Sequence, residues 1–206
     1  MAASTRVGAL LLSGGRSERF GGSPKAMLPV AGEPAIRRMA TRCLELELSP
    51  VVVVIRPDAY PIARALEGMP VDVVASERCA LGRTASIDEG NALVPPETDL
   101  LLWPVDHPFV HDMTLRALAR AGYADAMGVW FVPTFDGRGG HPVWLKPPAR
   151  RALSDLAADE PLRRLRDRLG PQVVRVPVRD PAVVWDIDTP EQYWAAQRQE
   201  ERWTDG

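Results

Sequence analysis

The sequence predicts an α/β protein of three layers, α/β/α, in which helices cover both faces of a mostly parallel sheet. Two observations carry this. Short β-branched runs recur along the chain, apolar on successive residues, as strands buried on both faces require. Between them lie stretches with one apolar helix face, so strand and helix alternate. That order calls for parallel neighbours joined by crossovers, which are nearly always right-handed.

In chain order, the first strand is expected over residues 7–12, followed by a glycine-rich loop. Ile36, Met39, Ala40, Cys43 and Leu44 then repeat at i, i+3, i+4, i+7 and i+8, which marks a helix. Strands follow over 51–55, 71–75, 100–103, 128–132 and 173–176. Helical patterns occupy 59–66, 86–93, 113–121, 162–169 and 191–202. The stretch 133–148 is rich in Gly and Pro and reads as a β-hairpin leaving the sheet. In sheets of this kind ligands bind at the carboxyl ends of strands, so the loops just after Leu12, Ala75 and Val105 are the functional candidates.

Composition narrows the function. A chain of 206 residues suits one domain spanning 1–206. With 46% apolar and 25% charged residues it is an ordinary globular composition. The net charge of −2 and the lack of a basic stripe argue against nucleic acid or an acidic membrane surface as a partner. Cys43 and Cys79 are far apart with no metal-ligand company, which fits a reduced, cytoplasmic protein. Residues 1–6 lack a leader pattern, and the apolar run 7–12 is too short to span a bilayer.

The loop after the first strand reads Leu12-Ser-Gly-Gly-Arg-Ser-Glu-Arg-Phe-Gly-Gly-Ser-Pro-Lys25. Its glycines let the backbone wrap closely around a ligand and offer N–H groups to phosphate oxygens; Arg16, Arg19 and Lys25 add positive charge. The chain holds only two lysines, Lys25 and Lys146, so a lysine at this loop stands out as a compact ammonium. Neither a GxxxxGK[ST] P-loop nor a GxGxxG fingerprint is present.

Two acidic motifs follow. Leu101-Leu-Trp-Pro-Val-Asp-His-Pro108 sets Asp106 just past a strand, either as a Mg²⁺ ligand facing a triphosphate or as a turn residue before Pro108. Val183-Val-Trp-Asp-Ile-Asp-Thr-Pro-Glu-Gln192 places Asp186 and Asp188 two residues apart, so an extended backbone would point both the same way. Thr189, Pro190 and Gln192 form a capping box at the next helix, and the acids ahead of it are either metal ligands or solvated.

The string from Leu12 to Gly21, with Pro24-Lys25 and Leu28-Pro29, resembles the signature loop of nucleotidyltransferases with a Rossmann-like, nucleotide-diphospho-sugar transferase (GT-A-like) fold. Within them it is most similar to the MobA/MocA-like family of molybdenum cofactor cytidylyltransferases and guanylyltransferases, and the later motifs fall in that family's order. The resemblance implies transfer of NMP from CTP or GTP to a phosphorylated acceptor, molybdopterin above all, with release of pyrophosphate. It implies nucleotide contacts from Leu12, Ser13, Gly14, Gly15, Arg16 and Lys25, and from Gly82 and Ser86 as base or ribose contacts. The last pair equally suits a plain helix start capped by Thr84. Asp106 matches the metal-binding aspartate, and Asp188, in preference to Asp186, the second Mg²⁺ ligand; Lys25, Arg19 and Asp106 are the catalytic set. His107 stands where related cytidylyltransferases often carry Gln, and His141 sits in a Gly-His-Pro segment bordering the acceptor; with Asp186 these are the acceptor-side candidates, though His141 equally suits packing. Ala158-Asp-Glu-Pro-Leu162 departs from the family's Gly-Asp-x-Gly pattern, on the acceptor side. Two alternatives share the first loop: a sugar-1-phosphate or other small-metabolite nucleotidyltransferase, and a non-catalytic nucleotide-binding module.

Overall fold

The structure, a computed structural model, describes residues 6–204; residues 1–5, on which most of the leader reading falls, lie outside the described part. Strand β1 (Val7–Ser13) is buried at every residue, as is β4 (Val51–Ile55). These runs need no alternation because both faces are covered. The hairpin β2 (Pro29–Val30) and β3 (Glu33–Pro34) precedes helix α1 (Ala35–Glu45). Then come α2 (Tyr60–Ala65), β5 (Asp72–Ala75), α3 (Arg83–Ala92), β6 (Asp99–Pro104) and α4 (Asp112–Ala124). The rest is β7 (Trp130–Phe135), β8 (Arg138–Gly139), β9 (Val143–Leu145), α5 (Pro147–Arg151), α6 (Leu162–Leu169), β10 (Val173–Pro177) and α7 (Pro190–Thr204).

The main sheet runs β10-β7-β9-β6-β1-β4-β5, with β8 on β7. β1 pairs in parallel with β4 (Ala9 opposite Val51) and with β6 (Val7 opposite Asp99), and β10 pairs in parallel with β7. Successive side chains of β1 enter opposite layers. Ala9 and Leu11 join Ile36, Met39, Leu115, Leu118 and Tyr193 of α1, α4 and α7. Leu10 and Leu12 join Ile87, Ala149 and Leu165 of α3, α5 and α6. Three layers result, as the alternation predicts.

The 133–148 stretch is the main difference from expectation. Its first half is the expected hairpin, β7 turning back as β8 with Phe135 opposite Arg138, but the rest stays in the sheet: β9 inserts antiparallel between β6 and β7, with Trp144 opposite both Leu101 and Phe131. Val143, Trp144 and Leu145 are all buried, so this three-residue strand belongs to the core. Its brevity and the flanking Gly and Pro hide it from pattern reading.

Candidate active site

The chain leaves β1 toward β4 on one side and later returns through β6 on the other, so the loops after β1 and β6 diverge and open a crevice at the strands' carboxyl ends. A cleft of about 460 Å³ lies there. One wall is the glycine loop, from Leu12 through Arg16 to Arg19 and Lys25; the other carries Ser86, Asp106 and Asp188.

The loop is shaped for anions. Ser17 is left-handed (φ 51°) and opens a 3-10 turn over Glu18–Phe20, and its hydroxyl accepts the Lys25 amide at 3.1 Å. The amides of Gly14 and Gly15 find no acceptor among the described residues and remain available to a ligand. Lys25 Nζ lies 2.5 Å from Asp188 Oδ1 and 5.9 Å from the Phe20 ring centroid; Arg19 is 3.4 Å from the same carboxylate. The cationic turn and the C-terminal acid thus meet across 163 residues of chain.

Backbone bonds bring the acidic motifs to the loop. Val105 N–H donates to Leu12 O (3.0 Å) and Ile187 N–H to Asp106 O (2.9 Å). The expected capping box is present: Thr189 Oγ1 accepts from Gln192 N–H at 3.3 Å, and Gln192 Oε1 accepts from the amides of Thr189 (2.9 Å) and Asp188 (2.7 Å). Yet Asp186 and Asp188 do not point the same way. Asp188 N–H folds back onto Asp186 O at 3.1 Å, so the segment is a tight turn rather than extended, and its two carboxylates diverge. Asp188 faces Lys25, whereas Asp186 Oδ1 lies 3.0 Å from His107 Nε2.

His107 Nε2 is also 3.7 Å from Asp106 Oδ1, and the donor atoms of Asp106, His107 and Asp186 lie within 4.8 Å of one another. Asp106 Oδ1 is buried without a hydrogen-bond partner. A buried carboxylate oxygen left unsatisfied is costly, and a divalent cation would relieve it. The donor set therefore fits a metal ion. The His107 hydrogen bond holds the Asp186 carboxyl below the usual range, against the opposing effect of burial. The His141 ring lies against His107, tilted by 48° with ring centroids 4.9 Å apart. Burial first, then His107 and Arg83, push the His141 imidazole down to about 3, so it is neutral.

Of the two residues expected near the base, Ser86 lines the cleft and Gly82 does not. Gly82 has φ +133°, and a Cβ there would fall 2.6 Å from Ala158 O, so it is a backbone joint against the 158–160 segment. Its neighbour Arg83 takes the exposed position, 3.5 Å from Asp106 Oδ2. Arg83 escaped sequence reading; its signal was a lone cation at a helix start beside the glycine. Thr84 does not cap the helix but donates to Glu160 O at 2.5 Å.

Arg83, Leu12 and Pro104 also border a second cleft of about 420 Å³. Trp130, Val132, Val143 and Leu162 give it an apolar floor, and Arg163 and Arg166 stand over it. Trp130 Nε1 is buried without a partner. The departing segment, through Asp159 and Glu160, forms one wall, and His141 another.

A glycine-loop cradle facing the carboxylates of Asp106 and Asp188, at the strand ends of a mostly parallel sheet, is the arrangement of a nucleotidyltransferase of GT-A-like fold. The sequence matches the family model of the MobA-like NTP transferase domain over residues 9–173, and the chain belongs to that family. It is 30% identical over 201 residues to the molybdenum cofactor guanylyltransferase of Ectopseudomonas mendocina (strain ymp), covering 94% of this chain and 93% of that protein. It is 24% identical over 193 residues to the nicotine blue oxidoreductase of Paenarthrobacter nicotinovorans, covering 91% and 95%. Among solved structures, Rv0371c from Mycobacterium tuberculosis H37Rv superposes with a TM-score of 0.81 at 25% identity, covering 95% of this chain and all of that one. No helix among the described residues is long and apolar enough to cross a membrane.

Proposed function

We propose that this chain transfers an NMP from CTP or GTP to the phosphate of a small acceptor, molybdopterin in the first instance, and releases pyrophosphate. The observation that carries the reading is the meeting of Lys25 and Asp188 at 2.5 Å beside a loop whose Gly14 and Gly15 amides are unused. The triphosphate lies along that loop, with Arg16, Arg19 and Lys25 opposing its charge and Ser86 near the nucleoside. An acceptor phosphate oxygen attacks the α-phosphorus as the bond to the β-phosphate oxygen breaks. The acceptor is already ionised near neutral pH and needs no general base, so positioning and charge neutralisation supply the catalysis. Mg²⁺, held by Asp106 and an aspartate of the 186–188 turn, would neutralise charge on the α-phosphate when bound. Lys25 and Arg19 balance charge on the departing pyrophosphate.

The second cleft suits the acceptor. Its apolar floor accommodates a flat heteroaromatic ring, and Arg163 and Arg166 suit an anionic group. Two free cysteines, Cys43 and Cys79, agree with a reducing, cytoplasmic setting.

The test is pyrophosphate release by purified protein, with each of the four NTPs paired with molybdopterin or with sugar 1-phosphates. Turnover with CTP or GTP and molybdopterin is expected. Because one relative bears an oxidoreductase's name, NADH and NADPH with an oxidised aromatic dye form a further arm. Dye reduction without pyrophosphate release from any pair would overturn the proposal.

A further inference from the structure

We propose that a groove in the helix layer, between the end of α1 and the second half of α4, is a binding site for a small aromatic carboxylate. The groove lies apart from both clefts, and its occupancy does not depend on the nucleotidyl-transfer reading.

Chain direction places it. The two clefts open at the carboxyl ends of the parallel strands. This groove is bounded by Leu46 and Leu48, in the turn that leads into β4, and by the part of α4 that follows Thr114. It therefore sits toward the amino ends of the strands, and it shares no lining residue with either cleft. Its volume of about 410 Å³ is within the range of pockets that hold small molecules.

Helix α4 shapes it. Leu115, Ala119 and Tyr123 recur at i, i+4 and i+8 as an apolar stripe, and Arg116 and Arg120 run beside them, one residue further on. The helix is drawn onto the sheet at Gly122, where a Cβ would fall 2.5 Å from Trp144 Nε1. Trp144 lies beneath the groove; its indole N–H donates to Asp99 Oδ2 at 2.9 Å, which fixes the ring. Tyr123 meets that ring edge-on at 5.5 Å and still stays 56% exposed, an aromatic side chain left at the rim. Ala119, small and half-buried, keeps the trough between them open.

Charge names the ligand. Arg116 and Arg120 are exposed, and among the described residues neither guanidinium has a carboxylate or carbonyl partner. Glu45 and Glu47 flank the two leucines in sequence, yet neither lines the groove. Two unpaired guanidinia one helical turn apart, along an apolar trough with an aromatic rim, match a flat apolar body that carries one carboxylate. A neutral ring would leave the arginines unused, and a free phosphate would leave the apolar stripe bare.

The test titrates the full chain with 1-naphthoate, by calorimetry and saturation-transfer NMR, beside its neutral analogue 1-naphthamide. The acid is expected to bind with a dissociation constant on the order of 1 mM or tighter. The amide should bind roughly fivefold more weakly, and so should the acid to the Arg116→Gln, Arg120→Gln double variant, whose changes are at exposed positions. Ala119→Phe fills the trough and should abolish binding, with urea midpoints as the fold control. Saturating CTP or GTP should leave the titration unchanged. Absence of binding up to about 10 mM, equal affinity for acid and amide, or unaltered affinity in the double arginine variant or in folded Ala119→Phe overturns the proposal. Displacement of the acid by CTP or GTP does the same, because it puts the acid in the clefts already described. A chain that sediments as a dimer, and as a monomer in the double arginine variant, would assign the groove to a second copy and overturns it too.

Discussion

Replacing either member of the Lys25–Asp188 pair should move metal-free nucleotide binding in opposite directions. Lys25 is 16% exposed and Asp188 41%, and they touch at 2.5 Å, so the carboxylate occupies the ammonium that the triphosphate would use. Lys25→Met removes a charge-assisted hydrogen bond, about 1.5–3 kcal/mol. At 1.4 kcal/mol per factor of ten, that is roughly a 10- to 100-fold loss of NTP affinity. Asp188→Asn frees the same ammonium. A pair this exposed on one side is worth about 0.2–1 kcal/mol, which corresponds to an affinity gain of roughly 1.5- to 5-fold. By the same reasoning both variants should unfold within about 1 kcal/mol of the parent in urea. The assay is calorimetric titration of CTP and GTP in EDTA, with urea midpoints as the fold control. NTP binding by folded Lys25→Met at parental affinity would refute the reasoning. So would an Asp188→Asn variant weakened as much as Lys25→Met.

Gly140→Ala should destabilise the chain on the order of 3 kcal/mol, because its Cβ would fall 1.9 Å from Val183 O, an overlap only backbone movement relieves. In a thermal melt that is a drop of roughly 6–12 °C for a chain of this size, and an unchanged melt would contradict the close approach. Arg150→Met should cost about 3 kcal/mol or more in urea unfolding. The residue is 2% exposed, and its guanidinium donates to the carbonyls of Val94 (2.9 Å), Pro95 (2.8 Å), Asn91 (3.1 Å) and Thr98, which would all lose a donor. A loss below about 1 kcal/mol would mean that water replaces the guanidinium. His111 gives a pH signature. Its hydrogen bond to Glu200 (2.8 Å), helped by Asp180 and opposed by burial and Arg42, raises its pKa above the ordinary 6.5. Folded His111 therefore holds its proton more tightly than unfolded, and its contribution is fully present below 6.5 and lost as pH rises through the folded pKa. Stability should fall there by at most about 1.4 kcal/mol per pH unit, and His111→Gln should flatten the slope. An identical slope in the variant would assign the effect elsewhere.

The sheet was legible where burial is complete on both faces. β1 and β4 are unbroken apolar runs, and the helix α1 shows its face through Ile36, Met39, Ala40 and Cys43. β9 was not legible, because three residues bounded by Pro142 and Lys146 carry no period and their partners lie about 14 and 43 residues away in β7 and β6. The same physics divides the candidate site. Leu12 to Lys25 is one continuous segment whose spacing is itself the signal, and the structure keeps it together as one wall. Arg83, Trp130, Arg163 and Arg166 come from separate elements and meet only through the sheet order. The turn at Asp186 also lay beyond pattern reading: two acids at i and i+2 read as parallel only if the backbone is extended, and one short bond from Asp188 N–H to Asp186 O decides otherwise.

That bond has a larger consequence for how the fold builds its chemistry. Ile187, between the two acids, donates its amide to Asp106 O, and Val105 donates to Leu12 O, so three distant segments are tied by backbone rather than by side chains. Side chains at the junction are thereby released to face ligands. Asp186 turns to His107, Asp188 turns to Lys25 at the glycine loop, and Arg83 stands beside Asp106 where the two clefts adjoin. Donors fixed by the backbone need little reorganisation when charge develops, which is the condition under which they contribute most to a transition state. In the nucleotidyl-transfer reading, nucleotide and acceptor approach the shared edge from opposite clefts. Attack and departure then lie on opposite sides of the α-phosphorus, as an in-line displacement requires.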